Sequence, residues 1–195
     1  MKSDRVFAQG RIALSSVIDT IKFMGCSPRR FLMGRIQCFE DIAPATVMLI
    51  GLLFPNQGWK FKFISRHNTL GRCTSAGQIE LSRWYAMDYI KDEKKVVVDT
   101  ILHELAHALD YSISGTFHGH GAAWQKYAKL MGIATPKSRK RLDPAKCKHF
   151  KYKLVVRDTG EVVGGFFKKP RRDFSQSWVK GRPETRGMLE LVAAG

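Results

Sequence analysis

The run His103-Glu104-Leu105-Ala106-His107 is the part of the sequence best suited to chemistry. Two histidines four positions apart lie about 40° apart around a helix, so both imidazoles face the same side. That spacing lets both bind one zinc ion, while Glu104 lies beside them and reaches a zinc-bound water without being a ligand. The pattern therefore predicts a hydrolytic site with one Zn²⁺ per chain and Glu104 as its general base.

A catalytic zinc also needs a third protein ligand and an open position for water. Asp110, His118 and His120 are the candidates, since the next acidic residue after Asp110 is at position 143. We favour His120 as the third ligand, because Gly119 and Gly121 allow the backbone to bring it close to the helix. In an extended loop His118 would point to the opposite side.

Three neighbouring side chains have weaker claims on the site. Asp110 fits equally well as a residue that orients a ligand histidine and as a solvated residue near the helix end. Tyr111 and His118 could stabilise an oxyanion, although packing or surface roles are more common for such residues.

The hydrophobic periodicity predicts the elements that must position these residues. The active-site helix should begin near Asp92, a suitable N-cap, and end near Ser112. Ser27-Pro28 and Gly34 are predicted to interrupt the secondary structure after the first helix. A strand near residues 78–82 follows the turn at residues 75–77 and is expected to present an edge to a substrate peptide. The other predicted helices are 4–24, 45–54 and 122–130, and the other predicted strands are 59–63, 150–157, 161–169, 177–180 and 186–192.

The sequence resembles the SprT family of zinc metallopeptidases, which includes the Spartan proteases. The resemblance covers roughly residues 42–133 and rests on the His-Glu-x-x-His run, on Gly119-His120-Gly121 and on Trp124. The segments Leu70-Gly71-Arg72-Cys73 and Ile79-Glu80-Leu81-Ser82 also resemble the family's hairpin before the active helix.

This resemblance implies His103, His107 and His120 as zinc ligands, Glu104 as the catalytic residue, and proteolysis of DNA-bound proteins. The fold it implies is α+β, with a zincin-like core in which the active-site helix packs on a small β-sheet. We expect this metallopeptidase domain, with its N-terminal helix, at residues 1–136. A basic linker and a C-terminal β-hairpin region follow at residues 137–195. Many family members carry a zinc ribbon there, but this chain has only Cys147 and His149 in that region.

The charge of the chain is strongly positive, with 33 Lys and Arg against 17 Asp and Glu. Residues 137–195 hold 16 basic and 6 acidic residues, a net charge of +10. Basic runs with nearby phenylalanines suit single-stranded nucleic acid, whose phosphates are neutralised and whose bases stack. We therefore expect DNA as a partner besides a protein or peptide substrate. The candidate contacts are Arg139, Lys140, Arg141, Lys168, Lys169, Arg171 and Arg172.

These features favour a DNA-associated zinc metalloprotease. One alternative is a nucleic-acid-binding module whose zinc site is structural or vestigial, although a structural site normally fills four protein positions. A nuclease ranks last, because such chemistry usually recruits carboxylate-rich sites. Four scattered cysteines and the lack of a long apolar segment predict a cytoplasmic protein, associated with nucleic acid and not with a membrane.

Overall fold

The computed structural model describes residues 11–66, 69–133 and 144–194 and has an α+β architecture. The chain divides into two compact units, residues 1–139 and 140–195. The predicted domain boundary at residue 136 lies outside the described residues, as do the proposed nucleic-acid contacts Arg139, Lys140 and Arg141. No helix among the described residues is long and apolar enough to cross a membrane.

Within its described residues, the first unit contains five helices and a three-stranded sheet. Its core combines aliphatic side chains, among them Leu32, Leu49 and Leu102, with buried aromatic side chains such as Tyr85 and Trp124. In chain order the elements are α1 (Leu14–Phe23), α2 (Pro28–Arg35), α3 (Ile42–Leu53), β1 (Lys60–Ile64), β2 (Gly71–Thr74), β3 (Gln78–Ser82), α4 (Arg83–Ser114) and α5 (Ala122–Leu130).

The strands of this sheet are arranged in the order β1-β3-β2. Strand β3 pairs parallel with β1 and antiparallel with β2, so it is the central strand. The expectation that residues 78–82 present an edge to a substrate is therefore wrong, because both sides of this strand are already hydrogen-bonded. Strand β2 is an outer strand of the sheet, and it packs against α4.

Helix α4 is longer than predicted. It begins directly after β3, where the Ser82 hydroxyl accepts a hydrogen bond from the Tyr85 N–H at 3.5 Å. The predicted start at Asp92 falls instead beside an interruption, where Glu93 leaves helical geometry with φ −133° and ψ 45°. The segment after this kink carries the His-Glu-x-x-His run.

Helix α2 was also missed, although its start signal is present in the sequence. Ser27 is the N-cap, whose hydroxyl accepts a hydrogen bond from the Arg30 N–H at 3.2 Å, and Pro28 occupies the first helical turn. Proline is tolerated at that position because its missing N–H would have no helical partner there. Helix α1 begins at Leu14, so residues 11–13, which belong to the predicted helix 4–24, are not helical.

The second unit contains an antiparallel sheet in the order β5-β4-β6. The predicted hairpin is present, as β4 (Tyr152–Val156) and β5 (Val162–Phe166), and β6 (Leu189–Ala193) pairs with the other side of β4. Leu154, Val156 and Leu189 form its buried cluster. Residues 177–180 do not form the predicted strand, since only one isolated bridge joins Val179 to Arg182.

Candidate metal centre

The two histidines of α4 lie one turn apart on one face of the helix, as their spacing requires. Their ring centroids are 5.0 Å apart, and both side chains are partly exposed. The surrounding turns of α4 are anchored by Leu102, Leu105 and Leu109, which are fully buried in the core. The helix therefore presents the two imidazoles from a rigid base.

His120 reaches the same point from the loop between α4 and α5. Gly115 ends α4 in the left-handed conformation with φ 80°, and Gly119 has φ 61°. Glycine adopts these angles without the steric cost that a Cβ would bring. The loop thus turns back over the helix and delivers the His120 ring to the two helical histidines.

The three imidazoles converge on one point through their Nε2 atoms. The Nε2 of His120 lies 2.9 Å from that of His103 and 3.3 Å from that of His107. Tetrahedral zinc with bonds of about 2.0–2.1 Å to nitrogen sets its ligand atoms about 3.3 Å apart. In the described part of the chain, this is the group of histidine, cysteine and acidic residues able to hold a metal ion. Three converging imidazoles therefore fit the ligand set of one zinc ion, and no fourth histidine, cysteine or acidic ligand joins them among the described residues.

The electrostatics of the site favour neutral imidazole, the form that binds metals. Burial, together with the nearby His120 ring, lowers the pKa of His107 to about 4, while Asp110 opposes the shift. His107 is therefore uncharged at neutral pH and available as a ligand.

The Trp124 side chain packs against the three-histidine cluster. Its ring centroid lies 4.7 Å from that of His103, 5.3 Å from that of His107 and 4.6 Å from that of His120. The side chain is 1% exposed, and its indole N–H donates a hydrogen bond of 3.4 Å to the His103 carbonyl. Trp124 thus packs against all three predicted ligands.

Asp110 and His118 are not part of the converging cluster. Asp110 is fully buried, and its carboxylate accepts two hydrogen bonds from His118, one from the backbone N–H at 2.8 Å and one from the imidazole Nδ1 at 2.9 Å. Burial of Asp110 contradicts the alternative of a solvated residue, and the histidine that Asp110 contacts is His118, which is not one of the three converging histidines. Tyr111 stacks on Phe117 at 4.7 Å and contacts Trp59 edge-on, which is a packing role.

Glu104 lies on α4 between the ligand histidines and is not one of the converging groups. Its side chain is 7% exposed, and burial raises its pKa to about 8. The backbone N–H of Cys73 on β2 donates a hydrogen bond to its carboxylate, which opposes that shift. A buried carboxyl group with a pKa near neutrality is suited to proton transfer at neutral pH.

Four of the predicted nucleic-acid contacts lie among the described residues of the second unit. Lys168, Lys169, Arg171 and Arg172 are exposed, and the Arg172 guanidinium donates a hydrogen bond to the Ser177 hydroxyl at 2.9 Å.

Sequence reasoning missed an exposed aromatic side chain in this unit. Trp178 is 47% exposed, and the Arg186 guanidinium lies 4.3 Å from the centroid of its ring. A single tryptophan in a predicted strand does not indicate from the sequence alone that its side chain is exposed.

Comparison with known proteins identifies the chain as a member of the SprT-like family, whose model matches residues 45–148. The matched segment contains the three histidines, Glu104 and Trp124. A human relative, the germ cell nuclear acidic protein, is 30% identical over 111 residues. The aligned segment covers 53% of this chain and 15% of that relative, so the chain corresponds to a small part of it. No solved structure matches the chain.

Proposed function

We propose that this chain is a zinc-dependent peptidase that acts close to nucleic acid. The observation that supports the proposal best is the convergence of three imidazole nitrogens beside a buried carboxyl group that is not a ligand. Catalytic zinc sites have three protein ligands and an open position, whereas structural sites normally fill all four. This arrangement favours catalysis over a purely structural zinc.

The proposed chemistry divides between the metal and Glu104. When bound, zinc supplies a Lewis acid that makes a water molecule more acidic and a carbonyl group more electrophilic. The Glu104 carboxylate takes a proton from the attacking water and returns it to the leaving amine, so that the peptide bond is replaced by a carboxylic acid and an amine. Its raised pKa makes Glu104 a stronger base than a solvated glutamate and places its protonation near neutral pH.

The substrate we propose is an extended peptide paired with the outer edge of β2. An added strand gains backbone hydrogen bonds that do not depend on its sequence. Strand β2 is suited to this role because it packs on α4, and because its Cys73 N–H already contacts the Glu104 carboxylate. A peptide on this edge therefore passes next to the proposed general base.

The nucleic-acid part of the proposal rests on the second unit. Arg171 and Arg172 are exposed together with Lys168 and Lys169, and Trp178 offers an aromatic surface in the same unit. Exposed basic residues neutralise phosphates, and aromatic rings stack on unpaired bases. The human relative is named as a nuclear protein, which agrees with a nucleic-acid setting.

Metal removal and restoration test the peptidase proposal. The full chain, treated with a chelator and then titrated with Zn²⁺, is assayed for cleavage of an unfolded protein with and without single-stranded DNA. We expect activity to disappear with the metal, to return at one equivalent, and to increase with DNA. A protein that binds one zinc but cleaves nothing in either condition would contradict the proposal and favour a structural site.

A further inference from the structure

Gly71 on β2 lies directly against the side chain of Glu104. A Cβ atom built on Gly71 would be 2.9 Å from Cγ and 2.9 Å from Oε1 of Glu104, and 3.1 Å from Cγ2 of Thr100. The two distances to Glu104 are shorter than those that real Cβ atoms make with non-bonded neighbours. Any larger residue at position 71 therefore requires a neighbouring group to move.

Thr100 is not free to make that movement. Its hydroxyl donates a hydrogen bond to the Val96 carbonyl at 2.9 Å and is hydrogen-bonded to the Tyr85 hydroxyl at 3.1 Å. The Tyr85 side chain is 1% exposed. A methyl group at position 71 would therefore displace the Glu104 carboxylate more readily than it would displace Thr100.

The backbone of β2 holds the same carboxylate. The Leu70 carbonyl accepts a hydrogen bond from the Ser82 N–H at 2.8 Å, so Leu70 directs its backbone groups towards β3. Along an antiparallel strand the backbone N–H and C=O groups of successive residues point to opposite sides. The N–H and C=O groups of Gly71 and Cys73 therefore point towards the outer edge of β2. The Cys73 N–H donates to Glu104 from this edge. The carboxylate thus lies between a glycine that gives it room and an N–H that orients it.

We propose that Gly71 is a positioning residue for the general base, and that its missing side chain seats the Glu104 carboxylate at the outer edge of β2. The inference rests on the proposed function, in which a substrate peptide lies along this edge. Gly71 is not required for a left-handed turn, since it is absent from the glycines with positive φ. The requirement comes from the space that Glu104 occupies.

A mutant cycle tests the contact without any reference to activity. Gly71→Ala, Glu104→Ala and the double variant are compared with the wild type by thermal unfolding of the metal-free proteins. We expect Gly71→Ala to lower the unfolding midpoint by about 3–10 °C, the effect of overpacking a tight site. In the Glu104→Ala background the same substitution should cost little, because the methyl group enters the space that the carboxylate vacates. If Gly71→Ala does not fold, the double variant should still fold.

Kinetics of the zinc-loaded proteins test the consequence for catalysis. We expect Gly71→Ala to keep one zinc, to leave KM within about twofold and to lower kcat by about tenfold or more, because small misplacements of a catalytic group are costly. Gly71→Ala combined with Thr100→Ser should recover part of kcat, since the methyl group at position 71 can then shift away from Glu104. Gly51→Ala is the matched control, because a Cβ there has no neighbour within 4 Å.

The outcomes separate this inference from the proposed function. An equal cost of Gly71→Ala in both backgrounds, a double variant that does not fold, or an unchanged kcat overturns the role of Gly71. A wild type without peptidase activity overturns the proposed function, while the unfolding cycle still decides whether Gly71 and Glu104 share the space.

Discussion

The carboxylate of Asp110 holds His118 by two hydrogen bonds, at 2.8 Å to its backbone N–H and at 2.9 Å to its Nδ1. Asp110 lies in the last turns of α4 and His118 lies two residues before His120, so this pair fixes the loop that delivers the third imidazole. Ser114 at the end of α4 contacts the start of the same loop, with its hydroxyl accepting a hydrogen bond from the Thr116 N–H at 3.2 Å. The proposed third ligand thus lies in a loop that is held by a buried acid outside the histidine cluster.

Asp110→Ala is expected to weaken zinc binding without removing a ligand. Loss of a group that orients a ligand typically costs about 10- to 100-fold in metal affinity. The affinity is measured by competition with a chromophoric chelator. Asp158→Ala, an exposed hairpin substitution in the second unit, is the control and should bind zinc like the wild type. Equal affinity of Asp110→Ala and the wild type would show that the loop holds His120 in place by itself.

The variants His120→Ala and His118→Ala should distinguish a proposed zinc ligand from a residue that only supports the loop. Because His120 supplies one of the three converging Nε2 atoms, its removal should abolish tight zinc binding. His118→Ala should retain one zinc per chain, because the backbone N–H of residue 118 can still bind Asp110. Metal content after dialysis distinguishes the two variants. Zinc retained by His120→Ala and lost by His118→Ala would reverse the assignment of the third ligand.

Trp124 should report metal binding by fluorescence. Its ring lies 4.6–5.3 Å from the three histidine rings. Paramagnetic Co²⁺ bound by the histidines should therefore quench part of the tryptophan emission. Trp124→Phe should remove most of that change. Quenching as strong in Trp124→Phe as in the wild type would place the bound metal elsewhere.

The metal-free protein should become less stable as the pH rises, relative to Glu104→Gln. Burial raises the pKa of Glu104 from 4.5 to about 8, so the folded state binds more protons than the unfolded state between these values. Stability from this group is full below pH 4.5 and is lost as the pH rises to about 8. The difference is on the order of several kcal/mol. The shift of His107 is common to both proteins and cancels in the comparison.

Chemical unfolding of the two metal-free proteins at pH 5 and pH 8 measures this difference. The advantage of Glu104→Gln should be larger at pH 8. An advantage that is independent of pH would mean that Glu104 does not titrate in this range in the folded protein.

Charge reversal in the second unit should weaken nucleic-acid binding and make it less sensitive to salt. Arg171→Glu with Arg172→Glu removes two exposed cations that would displace counterions from phosphates. Lys91→Glu with Lys95→Glu changes the charge equally on the exposed surface of α4 and is the control. Binding to single-stranded DNA is measured by fluorescence anisotropy over a range of salt concentrations. If the two double variants bind single-stranded DNA with equal affinity, the effect depends on the total charge and not on Arg171 and Arg172.

The site was more predictable from the sequence than the fold that surrounds it. The spacing of His103 and His107 fixes their geometry by helix periodicity, and Gly119 and Gly121 indicated the loop that presents His120. Those signals are local. The Asp110–His118 pair, the position of Trp124 beneath the rings and the contact of Gly71 with Glu104 depend on tertiary packing that no local pattern records.

The errors in the fold have similar physical reasons. The parallel pairing of β1 with β3 joins segments whose sequence patterns fit an antiparallel arrangement equally well, so the sequence does not indicate that β3 is the central strand. Ser27-Pro28 was read as a break, although serine followed by proline also begins helices. Asp92 resembles an N-cap, but the chain is already helical from Arg83 and only bends at Glu93.

The most direct test of the central claim compares the wild type with Glu104→Gln, each loaded with one zinc and assayed on the same unfolded protein substrate. Glutamine keeps the shape of the side chain but cannot accept the proton. We predict equal zinc content, a similar thermal midpoint for the zinc-loaded proteins, and a rate reduced by about 10²–10⁴-fold, as for the loss of a general base. Glu184→Gln, an exposed substitution, should be fully active. Near-wild-type cleavage by zinc-loaded Glu104→Gln would contradict the account.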